Sequence, residues 1–397
     1  MKVMTFGCRL NMFESVVIQK QMAGLDDVIV VNTCAVTGEA ERQCRQAIRK
    51  LARKYPNHKI VVTGCGAQIH PEEYACMPEV TKVLGNKEKL SPESFKNNER
   101  VLVSSMSEEV VKLPILSDFD GRVRAFLQIQ QGCNHACTFC IVPKARGKCS
   151  GMLPDDVIKQ ARAFVKQGIC ELILTGVDIT AYPYGFTNLI ERLINEVDGL
   201  KRLRFGSLDP ACLDEKFIRL VDSYKIIMPH FHLSVQSGDD LILKRMGRRH
   251  LRQHVIDFAS FVRRVRPETV LGADFITGFP TETEAQFNST LYLVQEAKLT
   301  HLHVFPYSRR SGTPADKMPM VPVPERKRRA KVLREEGKRL YDNLLNEMIG
   351  QTVPVLIERS GQGLSDTYIR VLVDSTLPVG QIMPVQIKTR REHELVG

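Results

Sequence analysis

Gly132-Cys133-Asn134-His135-Ala136-Cys137-Thr138-Phe139-Cys140 packs three thiols into one short loop at C-x3-C-x2-C spacing. The loop directly follows 125–130, an apolar run that reads as a strand. Three thiolates so spaced can wrap three corners of an iron–sulfur cubane and leave the fourth iron without a protein ligand, the position that four-cysteine ferredoxin sites close. An open iron can bind a chelating small molecule and pass it an electron. The alternative, a zinc knuckle, needs a fourth ligand, and His135 is poorly spaced for that role.

Downstream of the loop, strand patterns at 172–175, 202–206, 230–235, 270–276 and 301–306 alternate with helical patterns at 155–167, 186–197, 214–223, 239–246, 251–265 and 283–297. With the strand at 125–130, six such units predict a partial or complete (βα) barrel with its active site at the C-terminal strand ends. A proline-rich stop at 319–324 precedes a long polar helix over 325–348. The tail has only strand patterns (352–358, 368–373, 384–389) and reads as a small all-β barrel, a plausible nucleic-acid module. Upstream, strands at 2–6, 28–32, 59–63 and 81–84 alternate with helices at 12–22 and 39–54, which predicts an open parallel α/β sheet. Residues 87–120 read as a connection with an edge strand at 100–104. The expected domains are 1–113, 121–345 and 347–397.

A length of 397 residues fits such a multi-domain chain. The stretch MKVMTFGCRLNMFE lacks the apolar core of a signal peptide, so a cytoplasmic protein with no membrane partner is expected. Eleven cysteines in a reducing compartment point to metal or cluster ligation rather than disulfides. The formal charge of +11 favours a polyanionic partner. Basic clusters lie at 248–254, 263–266 and 326–339.

Three further cysteines repeat one placement. Cys8, Cys34 and Cys65 each come just after a predicted strand, in Gly7-Cys8-Arg9-Leu10-Asn11, Asn32-Thr33-Cys34 and Thr63-Gly64-Cys65. Parallel strands bring such ends to one sheet edge, so the three can converge on a second cluster. Ordinary buried cysteines near strand ends are the alternative for each one singly.

The C-x3-C-x2-C loop with an aromatic before its last cysteine resembles the radical S-adenosylmethionine (SAM) enzymes. Both cysteine sets together resemble the methylthiotransferases. Further matching stretches are 141–147 (IVPKARG), 174–177 (LTGV), 233–238 (LSVQSG), 244–249 (KRMGRR), 274–283 (DFITGFPTET) and 304–315 (VFPYSRRSGTPA). The resemblance covers essentially the whole chain. It implies an N-terminal cluster domain, a radical SAM barrel and a C-terminal RNA-binding β-barrel called TRAM. It also implies two [4Fe-4S] clusters, held by Cys8, Cys34 and Cys65 and by Cys133, Cys137 and Cys140. The first would hold or supply sulfur, and the second would cleave SAM to a 5′-deoxyadenosyl radical.

GCRLN and NTCAVTGEAERQCRQ are most similar to the subgroup acting on threonylcarbamoyladenosine 37 of tRNA. Other subgroups act on isopentenyladenosine 37 or on a ribosomal-protein aspartate, and the latter usually has proline after the first cysteine. A non-catalytic iron–sulfur RNA-binding protein is the reading from another class. Partners implied are the tRNA anticodon loop, a flavodoxin or ferredoxin as electron donor, and a sulfur donor.

For SAM, Gly176 offers close backbone approach, Ser207 and Gln236 lie at strand ends, and Arg248 or Arg249 can pair with a carboxylate. No catalytic residue beyond the cluster ligands is expected. Tyr368 and Arg370 are candidates for RNA contact. Two features depart from the family: Lys148-Cys149-Ser150-Gly151 replaces the usual Ser-Arg continuation, and a short 24–28 connection predicts a reduced first sheet.

Overall fold

The computed structural model describes residues 2–22, 24–25, 27–106 and 113–397. Residues 107–112, inside the expected connection and at the end of the expected first domain, lie outside the described residues.

The first sheet contains β1 (Lys2–Thr5), β2 (Val28–Thr33), β3 (Lys59–Gly64), β4 (Lys82–Leu84) and β5 (Val101–Leu102), all parallel and in that order. The edge strand expected in the connection therefore belongs to this sheet, and the short connection before β2 still leaves five strands. Ile18 and Met22 of the helix Arg9–Gln21 pack with Val28 and Val30. Ile48 and Leu51 of the helix Gly38–Lys54 pack with Ile29 and Val31 on the opposite face. Since β1, β2 and β3 are adjacent in sequence order, the two crossovers have opposite hands, a departure from the right-handed rule.

The central sheets contain β6 (Arg124–Gln128), the short pair β7 (Gln130–Gln131) and β8 (Ser150–Gly151), then β9 (Glu171–Thr175), β10 (Arg202–Phe205), β11 (Ser207–Leu208), β12 (His230–Gln236), β13 (Val270–Thr277) and β14 (Leu299–Pro306). Their parallel order is β6-β9-β10, then β11-β12-β13-β14, so the barrel is partial. Pleating separates the two faces. Ala125, Leu127, Leu172, Leu174, Leu203, Phe231, Leu233, Leu271 and Ala273 face the helices in one large core. The intervening residues line a polar lumen: Arg124, Glu171, Arg202, Arg204, His230, His232, Asp274, His301 and His303.

The chain ends in β15 (Thr352–Arg359), β16 (Gln362–Ser365), β17 (Arg370–Leu372), β18 (Ile382–Gln386), β19 (Thr389–Arg391) and β20 (Glu394–Val396). This sheet is six-stranded and mixed, with β17 and β20 parallel. Leu345 and Met348, at the end of the helix Val323–Glu347, join its core. The sheet docks on the N-terminal end of the half-barrel. Buried Arg202 donates to Leu364 O and Pro354 O, and buried Arg204 to Asp366 O and Ser365 O. Tyr368 stacks on His230 at 4.6 Å and 16°. It is an interface residue, not an exposed RNA contact. Arg370 is exposed and paired with Glu394.

Burial pushes His301 down to about 4 and holds His230 well below the ordinary histidine range, with neighbouring histidines adding to both shifts. Both rings are thus neutral in the fold, whereas the unfolded chain binds their protons below about 6.5. Stability is therefore lost as pH falls from about 6.5 towards 4. The melting temperature should drop between pH 7 and 5, and His301→Gln should reduce that drop; an unchanged drop would exclude this residue as a cause.

Candidate two-cluster active site

Strand register brings the first three cysteines together. Thr33 pairs with Gly64, so Cys34 and Cys65 emerge side by side. Phe6 N donates to Asn32 O at 2.8 Å, which sets Cys8 beside them at the start of its helix. Gly64 has φ +94°, and a Cβ there would lie 2.4 Å from Thr33 O, so only glycine permits this approach. Burial pushes the Cys34 thiol up to about 12, with Cys65 and Cys8 adding to the shift.

Behind these cysteines lies a buried charge cluster that sequence reasoning missed. Arg146 Nε donates to Cys65 Sγ at 3.3 Å, while its Nη1 and Nη2 engage the Glu14 carboxylate and Nη2 also engages Asn11. Lys89 Nζ reaches Glu14 Oε2 at 2.6 Å and Asn86 Oδ1 at 2.7 Å. Glu14, Lys89 and Arg146 are 1%, 0% and 2% exposed, so these charges are solvated by one another and by Asn11, Asn86 and Cys65 rather than by water. Burial opposes ionisation of Glu14, but Arg146 and Lys89 outweigh it and hold the carboxyl below its usual range. Two cations face one carboxylate. The residual positive charge suits a cubane held by three thiolates, which is net negative. Arg146 lies in the quoted IVPKARG stretch; Glu14 and Lys89 carried no sequence signal.

The second triad follows β7. Gly132 has φ +68°, and a Cβ would lie 1.9 Å from Lys148 O. Cys133 N donates to Gly147 O, and Thr138 N to Met246 O, fixing the loop at both ends. Burial pushes Cys133 up to about 12 and Cys140 up to about 11. A metal or cluster bound by these thiols would therefore displace their protons. Phe139, before the last cysteine, packs edge-on against Phe279 at 6.4 Å.

Arg248 Nη1 lies 3.8 Å from Cys137 Sγ, and Nη2 donates to Ser234 O at 2.8 Å. Arg248 and Arg249 share Asp209, at 3.4 and 3.2 Å. Burial opposes ionisation of Asp209, yet the His250 ring 3.7 Å away and the two arginines hold it well below the carboxylate range. Gln236 sits at φ +71° where the β12 register shifts, and no protein group hydrogen-bonds its side chain among the described residues. Ser207 Oγ is instead engaged with Ser234 Oγ at 2.7 Å and Asp274 Oδ2 at 3.1 Å. A Cβ on Gly176 would lie 2.7 Å from Gln130 Oε1, so its close approach is to Gln130. Cys149, at the family departure, is held by Gln130 and Ala181 O.

Among the described residues, two sets of side chains each bring their ligand atoms close enough to share one ion: Cys133–His135–Asp178 and His232–Asp274–His303. Neither is a cysteine triad. Tetrahedral thiolates on one zinc sit roughly 3.8 Å apart, so the wider triads fit a cluster better than one ion. His135 Nε2 is 2.7 Å from Asp178 and 3.1 Å from the Arg249 guanidinium, whose charge disfavours a cation there.

The expected basic faces are largely occupied internally. Arg326 bonds Val321 O and Tyr307 O, Arg329 pairs with Glu282, Arg328 with Glu284 and Glu325, and Arg339 with Glu336. Arg252 pairs with Glu296, and Arg263 caps Ala297 O. Bulk charge is thus a poor guide to where a polyanion would bind.

Family comparisons agree with this architecture. Residues 127–294 match the radical SAM superfamily and residues 1–85 the family described as uncharacterized protein family UPF0004. Among solved structures, the radical SAM methyltransferase TsrM from Kitasatospora setae is similar over 77% of this chain and 68% of that one, with TM-score 0.56 and 15% identity, which speaks to the fold. Fold and cysteine loop thus define a radical SAM enzyme, a class that uses a [4Fe-4S] cluster and SAM.

The chain is 46% identical over 97% of its length to threonylcarbamoyladenosine tRNA methylthiotransferase MtaB of Rickettsia prowazekii, covering 94% of that protein. It is 34% identical to the MtaB of Bacillus subtilis, covering 96% of this chain and 92% of that one. A tRNA-2-methylthio-N(6)-dimethylallyladenosine synthase of Ruegeria is 30% identical, covering all of this chain and 97% of that one. The chain belongs to the MtaB family of radical SAM methylthiotransferases.

Proposed function

We propose that the protein is a tRNA methylthiotransferase that adds a methylthio group to C2 of N6-threonylcarbamoyladenosine 37. The near-full-length relationship to MtaB carries this reading. Cys8, Cys34 and Cys65 are the proposed ligands of one cluster, and Cys133, Cys137 and Cys140 of the other. Bound there, the clusters supply a site for sulfur and the electron that cleaves SAM. The protein's own groups orient and shield. Arg248 holds an N–H towards Cys137. Gln236, Arg248 and Arg249 are the proposed SAM contacts, with Gly176 positioning Gln130 and Ser207 facing the lumen. Arg146 joins the two cysteine sets, since it lies just after Cys140 and bonds to Cys65.

The proposed domains are 1–113, 121–345 and 347–397, with the last a TRAM-type RNA-binding module. The reading includes a cytoplasmic location, a flavodoxin or ferredoxin as electron donor and a separate sulfur donor. No helix among the described residues is long and apolar enough to cross a membrane. The target base must leave the anticodon stack to reach a buried radical, which single-stranded loops allow at small unstacking cost.

Mass spectrometry of tRNA nucleosides from cells lacking the protein tests the proposal. Methylthio-threonylcarbamoyladenosine should disappear while its precursor accumulates. Its persistence, or selective loss of methylthio-isopentenyladenosine or of a modified ribosomal peptide, would reject the substrate assignment.

A further inference from the structure

Among the described residues, the half-barrel lumen holds one arginine that no carboxylate neutralises. Arg9 follows Cys8, and its half-buried side chain reaches from the start of the helix Arg9–Gln21 into the lumen. The Phe126 ring lies 6.0 Å from its guanidinium carbon. Nη1 donates to Phe205 O at 3.4 Å and Nη2 to Tyr368 Oη at 3.2 Å, both neutral acceptors. The neighbouring arginines differ. Arg124 pairs with Glu171 at 3.2 Å and Glu358 at 2.6 Å, and Arg204 with Glu171 at 2.9 Å. Among the described residues Arg9 has no ion-pair partner.

The far wall is polar as well. Asp274 Oδ1 takes His232 and His303, each at 3.0 Å, and Oδ2 takes Ser207 at 3.1 Å. A hydrocarbon on N6 of the substrate adenine would press against these groups and take water from Arg9 without replacing it, which is costly for a lone cation. A threonylcarbamoyl group brings a carboxylate and a hydroxyl instead. The guanidinium fork matches a carboxylate in geometry and charge.

We infer that Arg9 binds the threonyl carboxylate of the substrate nucleoside and discriminates it from a hydrocarbon substituent. The inference rests on the proposed substrate. Arg9 directly follows Cys8, a proposed ligand of the sulfur-holding cluster, so the two sites are tied to one short segment. Other N6 chemistry would leave Arg9 without a counter-charge.

The test uses the full-length, cluster-loaded protein. Its substrates are two anticodon stem-loop RNAs, one with threonylcarbamoyladenosine and one with the same nucleoside whose carboxylate is a primary amide. Wild type should favour the acid by about 10- to 100-fold in kcat/KM, the range of a charge-assisted hydrogen bond. Arg9→Gln should lose a similar factor on the acid and treat both RNAs alike, and Arg9→Lys should recover part of the preference. A purely structural role predicts equal losses on both RNAs, and that result, or an acid preference surviving in Arg9→Gln, would overturn the inference. If Arg9→Gln fails to fold, as judged by melting and iron content, wild type and Arg9→Lys decide. A wild type indifferent to acid and amide rejects the role of Arg9 alone. A wild type inactive on the acid, under conditions where SAM is cleaved, rejects the substrate reading itself.

Discussion

Cys137→Ala is expected to abolish reductive cleavage of SAM to 5′-deoxyadenosine and to lower iron from about eight to about four atoms per chain, as loss of one of two four-iron clusters requires. The loop around Cys137 contributes only three thiols, so removing one leaves two. Cys149 does not replace it, because Gln130 and Ala181 O already hold that thiol. Arg248 would lose its sulfur contact while keeping Ser234 O and Asp209. The first triad stands on a different sheet and should retain its iron. Iron and sulfide analysis of anaerobically purified protein, with a SAM-cleavage assay, checks both parts. Near four irons in the wild type would reject the two-cluster reading, and zinc would reject both clusters.

Arg146→Met should destabilise the protein by about 3–5 kcal/mol, the cost of breaking a buried ion pair. The substitution preserves much of the side-chain volume, so loss of charge dominates. Glu14 would keep only Lys89, and Asn11 and Cys65 would lose their guanidinium donors. The first cluster should then be lost selectively, leaving about four irons held by the second loop. Arg146→Lys restores charge without the fork and should fall between the two. Thermal melts and iron counts decide. A variant with wild-type melting and eight irons would show that the charge cluster neither stabilises the fold nor holds the first site.

Much of this was legible from local patterns. The spacing of Cys133, Cys137 and Cys140 and the strand–cysteine repeats at Cys8, Cys34 and Cys65 are properties of short segments. Most helix and barrel-strand boundaries also emerged within a few residues, because burial periodicity is local. The β16 and β20 strands did not, since each is short and acquires its identity from its pairing partners. The basic runs misled for a related reason. Arg326 and Arg329 look solvent-facing by composition, yet their partners lie in other elements.

The sequence by itself determined the candidate ligands: three cysteines each just past a strand and three in one loop, in a chain built of alternating helix and strand. It did so because loop spacing and side-chain periodicity are set by nearest neighbours. Only the tertiary structure decided which charges are neutralised. Arg146 meets Glu14, Arg204 meets Glu171, and Arg9 enters the lumen without a carboxylate because sheet register and domain docking bring distant segments together. Sequence separation carries no information about those distances.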